Sequence, residues 1–345
     1  MILRDTLFLV LRTLAIAFAG GFVANSVGVP AGWLSGSMIA VSVAAVAGLP
    51  VAVPVRLADA VFIFLGALLG SGVTPEILNR LGAWPITLAG LIVSLVLVVL
   101  AVQVYLTRVA KWDRTTAFFA AIPGAMSYVV AFAATTGGDL RRVVVSQSIR
   151  LFLLVAAIPA LVSAVEPPMA PIARPVLEPP GVFLLLVSST LGALAFHRLR
   201  VPAGLLSGSL LVSALAHATN QIDGTLPAWQ IVVAYVVLGA MIGCRFVGTD
   251  ISFLRRIALT SIGAFIVATV VAALSALAIA SFAGVPLGQV LLAFAPGGVD
   301  AMTALAVALH MDSAFVAAHQ LLRFVVIAIF VPFAARWTLR KDGKD

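Results

Sequence analysis

Two polar pairs stand out in a chain otherwise short of reactive side chains: Gln147 with Arg150 in "SQSIR", and Gln320 with Arg323 in "HQLLR". Each arginine lies about eight residues into a long apolar run, where a guanidinium costs about 2.5–3.5 kcal/mol on insertion scales. A spacing of three sets the amide and the guanidinium on one helical face. A planar guanidinium beside an amide suits a carboxylate or a phosphate, so the expected ligand is a small anion held deep in the chain's apolar body. The competing reading is structural: each arginine snorkels to an interface, or pairs with a backbone carbonyl to hold a hairpin.

A second signal lies upstream of each pair. Pro123-Gly124 in "IPGAMS" and Pro296-Gly297-Gly298 in "APGGVD" interrupt apolar segments, and proline there removes a backbone donor and clashes with the preceding turn. The broken ends would offer free N–H groups and positive half-helix dipoles to an anion, or unwound carbonyls to a coupling cation. Ser127 in the first tip stands where Asp300 stands in the second. As the carboxylate of the two tips, Asp300 either carries a proton or sodium ion, the two candidate coupling ions, or neutralises Arg323.

The elements that must position these residues are membrane helices. The 345 residues are 62% hydrophobic and 10% charged, against roughly 25% charged in a soluble domain, and the mean hydropathy is +1.18. Runs such as 86–106 and 261–283 exceed the ~20 apolar residues that a spanning helix needs. The net charge of +8 sits in short loops rather than on one basic face, which argues against a nucleic-acid partner. The run 7–23 contains Arg12 and no small-residue cleavage site, and is read as a retained helix.

The chain also repeats itself. "VPAGWLSGS" at 29–37 returns as "VPAGLLSGS" at 201–209, and at the same offset of 172 to 173 "LGALLG" overlies "LGAMIG", "IPGAMS" overlies "APGGVD", and "SQSIR" overlies "HQLLR". Matches in one order mark a duplicated unit. The organisation read from this is a first membrane repeat over 1–165, a proline-rich connection over 166–180, a second membrane repeat over 181–338, and a cytoplasmic tail over 339–345.

Each half holds six apolar segments. If all twelve span, loop Lys and Arg divide 10 to 8 across the membrane; if each fifth segment re-enters, they divide 16 to 2, with Arg80 and Arg174 alone outside. The positive-inside rule selects the second division. Five crossings per half then force opposite orientations. The expected fold is an all-α polytopic membrane protein of two inverted repeats, about five transmembrane helices each, with a Pro-Gly-broken re-entrant hairpin in each. Both termini are expected on the cytoplasmic side of a bacterial inner membrane, in contact with the lipid bilayer and compatible with a homo-oligomer.

The remaining motifs read as packing or pathway. Ser35, Ser37, Ser207 and Ser209 belong to the repeated phrase, and Gly66/Gly70 and Gly239/Gly243 form GxxxG pairs that allow helices to approach closely. His319, beside Gln320, is either a titrating pathway residue or a structural one. The other histidines are scattered, Cys244 is the single cysteine, and no HExxH, CxxC or GxxxxGK[ST] pattern occurs. No metal site, resident cofactor, ATP hydrolysis or catalysis is expected.

The stretches "VPAGWLSGSMIA", "IPGAMSYVV", "VPAGLLSGSLL" and "APGGVDAMTALAVALH" resemble the AbrB family of bacterial membrane proteins, which carry a duplicated membrane domain. The resemblance covers nearly the whole chain. Family members have been labelled ammonia monooxygenases and regulators of gene expression. A copper oxygenase needs clustered histidines or carboxylates, which this sequence lacks, and control of transcription would have to be indirect. The sequence therefore points first to a secondary transporter of a small anionic metabolite, and second to a membrane sensor that binds the same ligand without moving it.

Overall fold

Glycine and proline punctuate the apolar runs and decide where the helices stop. The computed structural model describes residues 2–73, 82, 84–124, 126–166, 175–201 and 203–342, with the side chains of 2–5, 127, 128, 131, 135 and 332–342 outside that description. The first half forms α1 (Ile2–Ser26), α2 (Gly32–Val46), α3 (Val55–Gly70), α4 (Trp84–Val104, prolonged by a π turn over Tyr105–Val109), α5 (Arg114–Ala121), α6 (Met126–Thr135) and α7 (Leu140–Val165). The second forms α8 (Pro179–Arg198), α9 (Gly204–Ala218), α10 (Ala228–Gly243, prolonged by a 3-10 turn over Cys244–Phe246), α11 (Ile251–Ala283), α12 (Leu287–Phe294), α13 (Val299–Ala308) and α14 (Ser313–Asp342). Among the described residues the extended pairing is one isolated bridge, Val176 with Thr225.

Among the described residues, seven helices are long and apolar enough to cross a membrane: α1, α4, α7, α8, α10, α11 and α14. Ten crossings were expected from the sequence. The other three, α2, α3 and α9, have 15, 16 and 15 residues, about 22–24 Å of helix against a hydrocarbon core of about 30 Å. Left-handed residues bound two of them: Ala31 and Ala203 stand before α2 and α9 at φ 54° and 51°, and Gly48 follows α2 at φ 82°.

The spanning helices fall into two shells. About half of the most apolar stretch is buried in α7, α10 and α14 (50, 56 and 50%), against 17 to 28% in α1, α4, α8 and α11. The outer four present Phe8, Phe22, Val93, Leu100, Phe183, Leu191, Leu259 and Leu274 outward, as lipid contact requires. The inner helices carry the polar pairs.

Packing follows one rule under exchange of the halves. α1 covers α2 as α8 covers α9, α2 lies on α10 as α9 lies on α3, and α4 lies on its own counterpart, α11. The repeated phrase makes the two crossed contacts. A Cβ on Gly239 would come within 2.6 Å of the Leu34 carbonyl oxygen and 2.7 Å of Ser37 Cβ; one on Gly66 would come within 2.5 Å of the Leu206 carbonyl and 2.7 Å of Ser209 Cβ. Ser209 Oγ donates to the Ile63 carbonyl of α3 at 2.6 Å, within its crossing, whereas Ser37 Oγ turns to the Ala17 carbonyl of α1 at 2.7 Å.

The glycine contacts also give directions. Gly239 faces Leu34 and Ser37 while Gly243 faces Val41 and Ser42, so α10 runs parallel to α2; Gly66 and Gly70 make α3 parallel to α9 in the same way. Gly90 meets Ile279 whereas Gly263 meets Tyr105, so α4 and α11 are antiparallel.

Gly239→Val is expected to lower stability by about 1–3 kcal/mol through overpacking against backbone, read as a fall in melting midpoint of the detergent-solubilised protein. Gly181→Ala, where the nearest atom is a Leu177 methyl at 3.4 Å, should stay within about 0.5 kcal/mol of the unsubstituted chain.

Candidate functional site

α5 ends at Ala121 because Pro123 cannot continue it, and Gly124 turns the chain at φ 80°. α12 ends at Phe294 ahead of Pro296 and Gly297. Each is a helix of 8 residues, about 12 Å long. A helix that stops inside a bundle leaves its last carbonyls without partners.

The two arginines supply those partners. Arg150 Nη1 donates to the Ala120 carbonyl at 3.2 Å and Nη2 to that of Ile122 at 2.9 Å. Arg323 donates through Nη1 to the Ala295 carbonyl and through Nη2 to the Gly297 carbonyl and to Gln320 Oε1. The glutamines reach one turn further back: Gln147 Nε2 donates to Phe119 at 3.0 Å, and Gln320 Nε2 to Leu292 and Ala293 at 3.0 and 3.1 Å. Each guanidinium thus caps the negative end of a half-helix dipole. Of the two structural alternatives raised for these arginines, carbonyl pairing is the one observed. All four side chains are buried, with 0 to 7% exposure.

The two caps meet. A Cβ on Gly124 would stand 3.1 Å from the Gly297 carbonyl oxygen and 3.6 Å from Arg323 Nη2. Among the described residues the one carboxylate ion pair joins Arg142 to Asp139, not either buried arginine. Among the described residues, the partners of both guanidiniums are carbonyl oxygens of the backbone and of the Gln320 amide.

α6 and α13 leave this centre with their amino ends inward. Pro123, Pro296 and Gly297 are buried, and Gly124, Gly298 and Asp300 half-buried. Asp300 lies in the first turn of α13, and its Oδ1 occupies the space beside Gly298 that a Cβ would fill, at 2.5 Å. It does not pair with Arg323. The side chain of Ser127, its counterpart, lies outside the described residues.

The other candidates stand apart from the centre. Ser35 and Ser207 donate to Ala31 and Ala203 of their own helix starts, both at 3.1 Å, and Ser37 and Ser209 lie in the crossings already described. His319 Nδ1 faces the Phe315 carbonyl at 2.8 Å, and its Nε2 faces Thr87 Oγ1 on α4 at 2.8 Å. Only a protonated Nδ1 can bond a carbonyl; Thr87 Oγ1, which lies against Nε2, donates to the Trp84 carbonyl at 3.0 Å. Phe315 lies 4.0 Å from the ring centre, with Trp84 at 6.3 Å.

With these contacts in view, comparison with known proteins is informative. The family model described as "Transition state regulatory protein AbrB" matches residues 33–339. The chain belongs to the AbrB family. Among its relatives is "Uncharacterized protein YhjN" of Bacillus subtilis (strain 168), 30% identical over 361 residues and covering 96% of this chain and 92% of the relative. Another is "Putative regulator AbrB" of Escherichia coli (strain K12), 29% identical over 339 residues and covering 95% of each chain. The family match spans both Pro-Gly breaks and both buried arginines, so the arrangement described here lies within the part of the chain that defines family membership.

Three contacts escaped the sequence reading because their partners are remote. The backbone N–H of Asp139 donates to Thr116 Oγ1 at 2.8 Å, joining the end of the α5–α6 pair to its beginning. Glu166 Oε2 accepts from Gly288 N at 2.7 Å, so the first half caps the start of α12 across 122 positions. Arg245 Nη1 approaches Met126 Sδ at 3.5 Å, at the amino end of α6. Glu166 carried a signal only in hindsight, as a lone acid at the end of a long apolar run.

Arg323→Lys and Arg150→Lys keep the charge but replace a planar fork by one ammonium. Each carbonyl contact not remade is expected to cost about 1.5–3 kcal/mol, with the larger loss for Arg323, whose fork serves two carbonyls and Gln320. Thermal unfolding of the two purified variants checks the order.

Proposed function

We propose that the chain is a secondary transporter of a small anionic metabolite, working by alternating access between two inverted repeats. One observation carries the reading: two broken helices from different halves abut at Gly124 and Gly297, over two buried guanidiniums with no carboxylate counterion among the described residues. An anion is the natural complement of such a centre, and the inward amino ends of α6 and α13 add to the same potential.

The inverted arrangement has its support in helix direction. Equivalent helices of two halves in the same orientation would run parallel, whereas α4 and α11 are antiparallel. Re-entry of the fifth segment has its support in the bond from Asp139 to Thr116, which holds both ends of the α5–α6 hairpin together. In α5 and α7 the contacts 116–139, 119–147 and 122–150 advance together, so the two helices start from one side. Arg142 stacks on Trp112 and Arg141 on Phe253, drawing three basic segments to a single end, in keeping with a cytoplasmic face of a bacterial inner membrane.

Asp300 is the candidate for coupling. An anion bound beside it would raise the cost of a second negative charge there, so a proton taken up with the substrate is the simplest device; sodium is the other candidate ion. Movement of one half against the other would expose the centre alternately.

The relative's name, "Putative regulator AbrB", favours a second reading, a membrane sensor that binds the same anion and alters gene expression through another protein. The two readings separate in one experiment. Anionic metabolites that raise the melting midpoint of the detergent-solubilised protein are loaded against proteoliposomes holding the full chain. A transporter gives saturable, gradient-dependent uptake that Arg150→Ala and Arg323→Ala abolish. Binding without flux supports the sensor, and cysteines at positions 114 and 139 labelled from opposite sides would remove the inverted, re-entrant arrangement.

A further inference from the structure

The end of the bundle where α4, α7 and α11 meet carries more positive charge than the bundle uses. Segments 105–114, 139–142 and 250–256 hold seven Lys and Arg against three Asp, an excess of 7 − 3 = 4. All three acids are committed. Asp113 accepts from Thr116 N at 2.7 Å, Asp139 accepts from Arg142 N and pairs with that guanidinium at 3.1 Å, and Asp250 accepts from Ser252 N and Oγ at 3.0 and 2.7 Å. The bonds from Ser252, and beyond them the charges of Arg141 and Arg256, hold the Asp250 carboxyl below the usual carboxylate range.

Two of the surplus cations are brought together by one ring. Phe253 is buried at the start of α11, with the Arg141 guanidinium 4.0 Å and the Arg256 guanidinium 6.0 Å from its centre, so the two lie no more than 4.0 + 6.0 = 10.0 Å apart. They come from different halves of the chain. Both guanidiniums are within cation–π range of the ring, and both arginines are exposed. Lipid-facing apolar surface adjoins the cluster: Val104 and Val109 at the end of α4 are 49 and 67% exposed, and Ile251 and Leu259 on α11 are 49 and 80% exposed.

We propose that this surface is a binding site for the phosphate headgroup of an anionic phospholipid, gripped by Arg141 and Arg256, with its acyl chains against α4 and α11. A guanidinium pair matches a phosphate diester in charge and donor geometry, and basic pockets between membrane helices take such headgroups. A free phosphate would satisfy the arginines but would leave the flanking apolar surface unexplained. Because Arg141 belongs to α7, the helix that carries Gln147 and Arg150, and Arg256 belongs to α11, the lipid would tie the first half's inner helix to the second half's outer one. This inference needs the chain to be embedded in a bilayer and does not depend on what is transported.

The test uses the full chain in dodecyl maltoside, with cardiolipin, phosphatidylcholine or inorganic phosphate added and lipid adducts counted by native mass spectrometry. Cardiolipin adducts and a raised melting midpoint are expected, with neither from phosphatidylcholine. Arg141→Gln and Arg256→Gln should each weaken cardiolipin binding about fivefold and together about 25-fold, the value of roughly 1 kcal/mol per basic residue near a membrane surface. Arg198→Gln/Arg200→Gln, at the end of α8 and in the turn after it, should leave it unchanged. Equal stabilisation by millimolar phosphate would overturn the lipid assignment. So would undiminished cardiolipin binding in both single variants, or equal loss in the Arg198/Arg200 variant; should the double variant fail to fold, the single variants decide.

Discussion

A helix that stops in the middle of an apolar bundle and an arginine buried in the same place are each unstable alone. The first leaves carbonyl oxygens with no donor, at about 1–3 kcal/mol per group; the second is a charge taken out of water. In this protein each problem is the answer to the other. Arg150 reaches Ala120 and Ile122, Arg323 reaches Ala295 and Gly297, and Gln147 and Gln320 serve the carbonyls one turn earlier. Every other feature of the centre, including the abutting glycines and the inward amino ends of α6 and α13, depends on those breaks being held open.

The breaks are held at a fixed separation by the way the halves cross. α2 lies in the glycine groove of α10 and α9 in that of α3, so each half supplies the tooth for the other's notch. Van der Waals contact is the main force available between helices in lipid. A side chain at any one of the four crossing glycines would drive its Cβ to within 3 Å of the facing helix. The long pair α4 and α11 closes the back of the arrangement, its buried edge a stripe of Ala264, Ala268, Ala272, Ala276 and Ala280 at every fourth position.

The symmetry is incomplete in ways that matter chemically. The second tip carries Asp300 where the first carries serine; the first is approached by Arg245, whose position in the second half has no basic match. The start of α5 has its own cap in Asp113, whereas α12 borrows Glu166 from the first half. One tip is thus more positive and self-contained, the other more acidic and tied to its partner.

Much of this was legible in the sequence, because hydrophobic length, the offset of the repeat and proline placement are local properties. Twelve apolar segments, the two Pro-Gly breaks and the face shared by Gln147 and Arg150 needed nothing beyond spacing. What spacing could not decide was the acceptor. An arginine in an apolar run needs a counter-dipole, and whether that is a ligand carboxylate or the chain's own carbonyls depends on a contact across about 28 residues in one half and the same in the other. The same limit hid the bond from Asp139 to Thr116, the cap of Glu166 on α12 and the gathering of Arg141 and Arg256 on Phe253. Composition and period chose the helices and marked where they break; only the packing of one half on the other determined which buried polar group answers which, since hydrogen bonds and ion contacts are set by proximity in space and not along the chain.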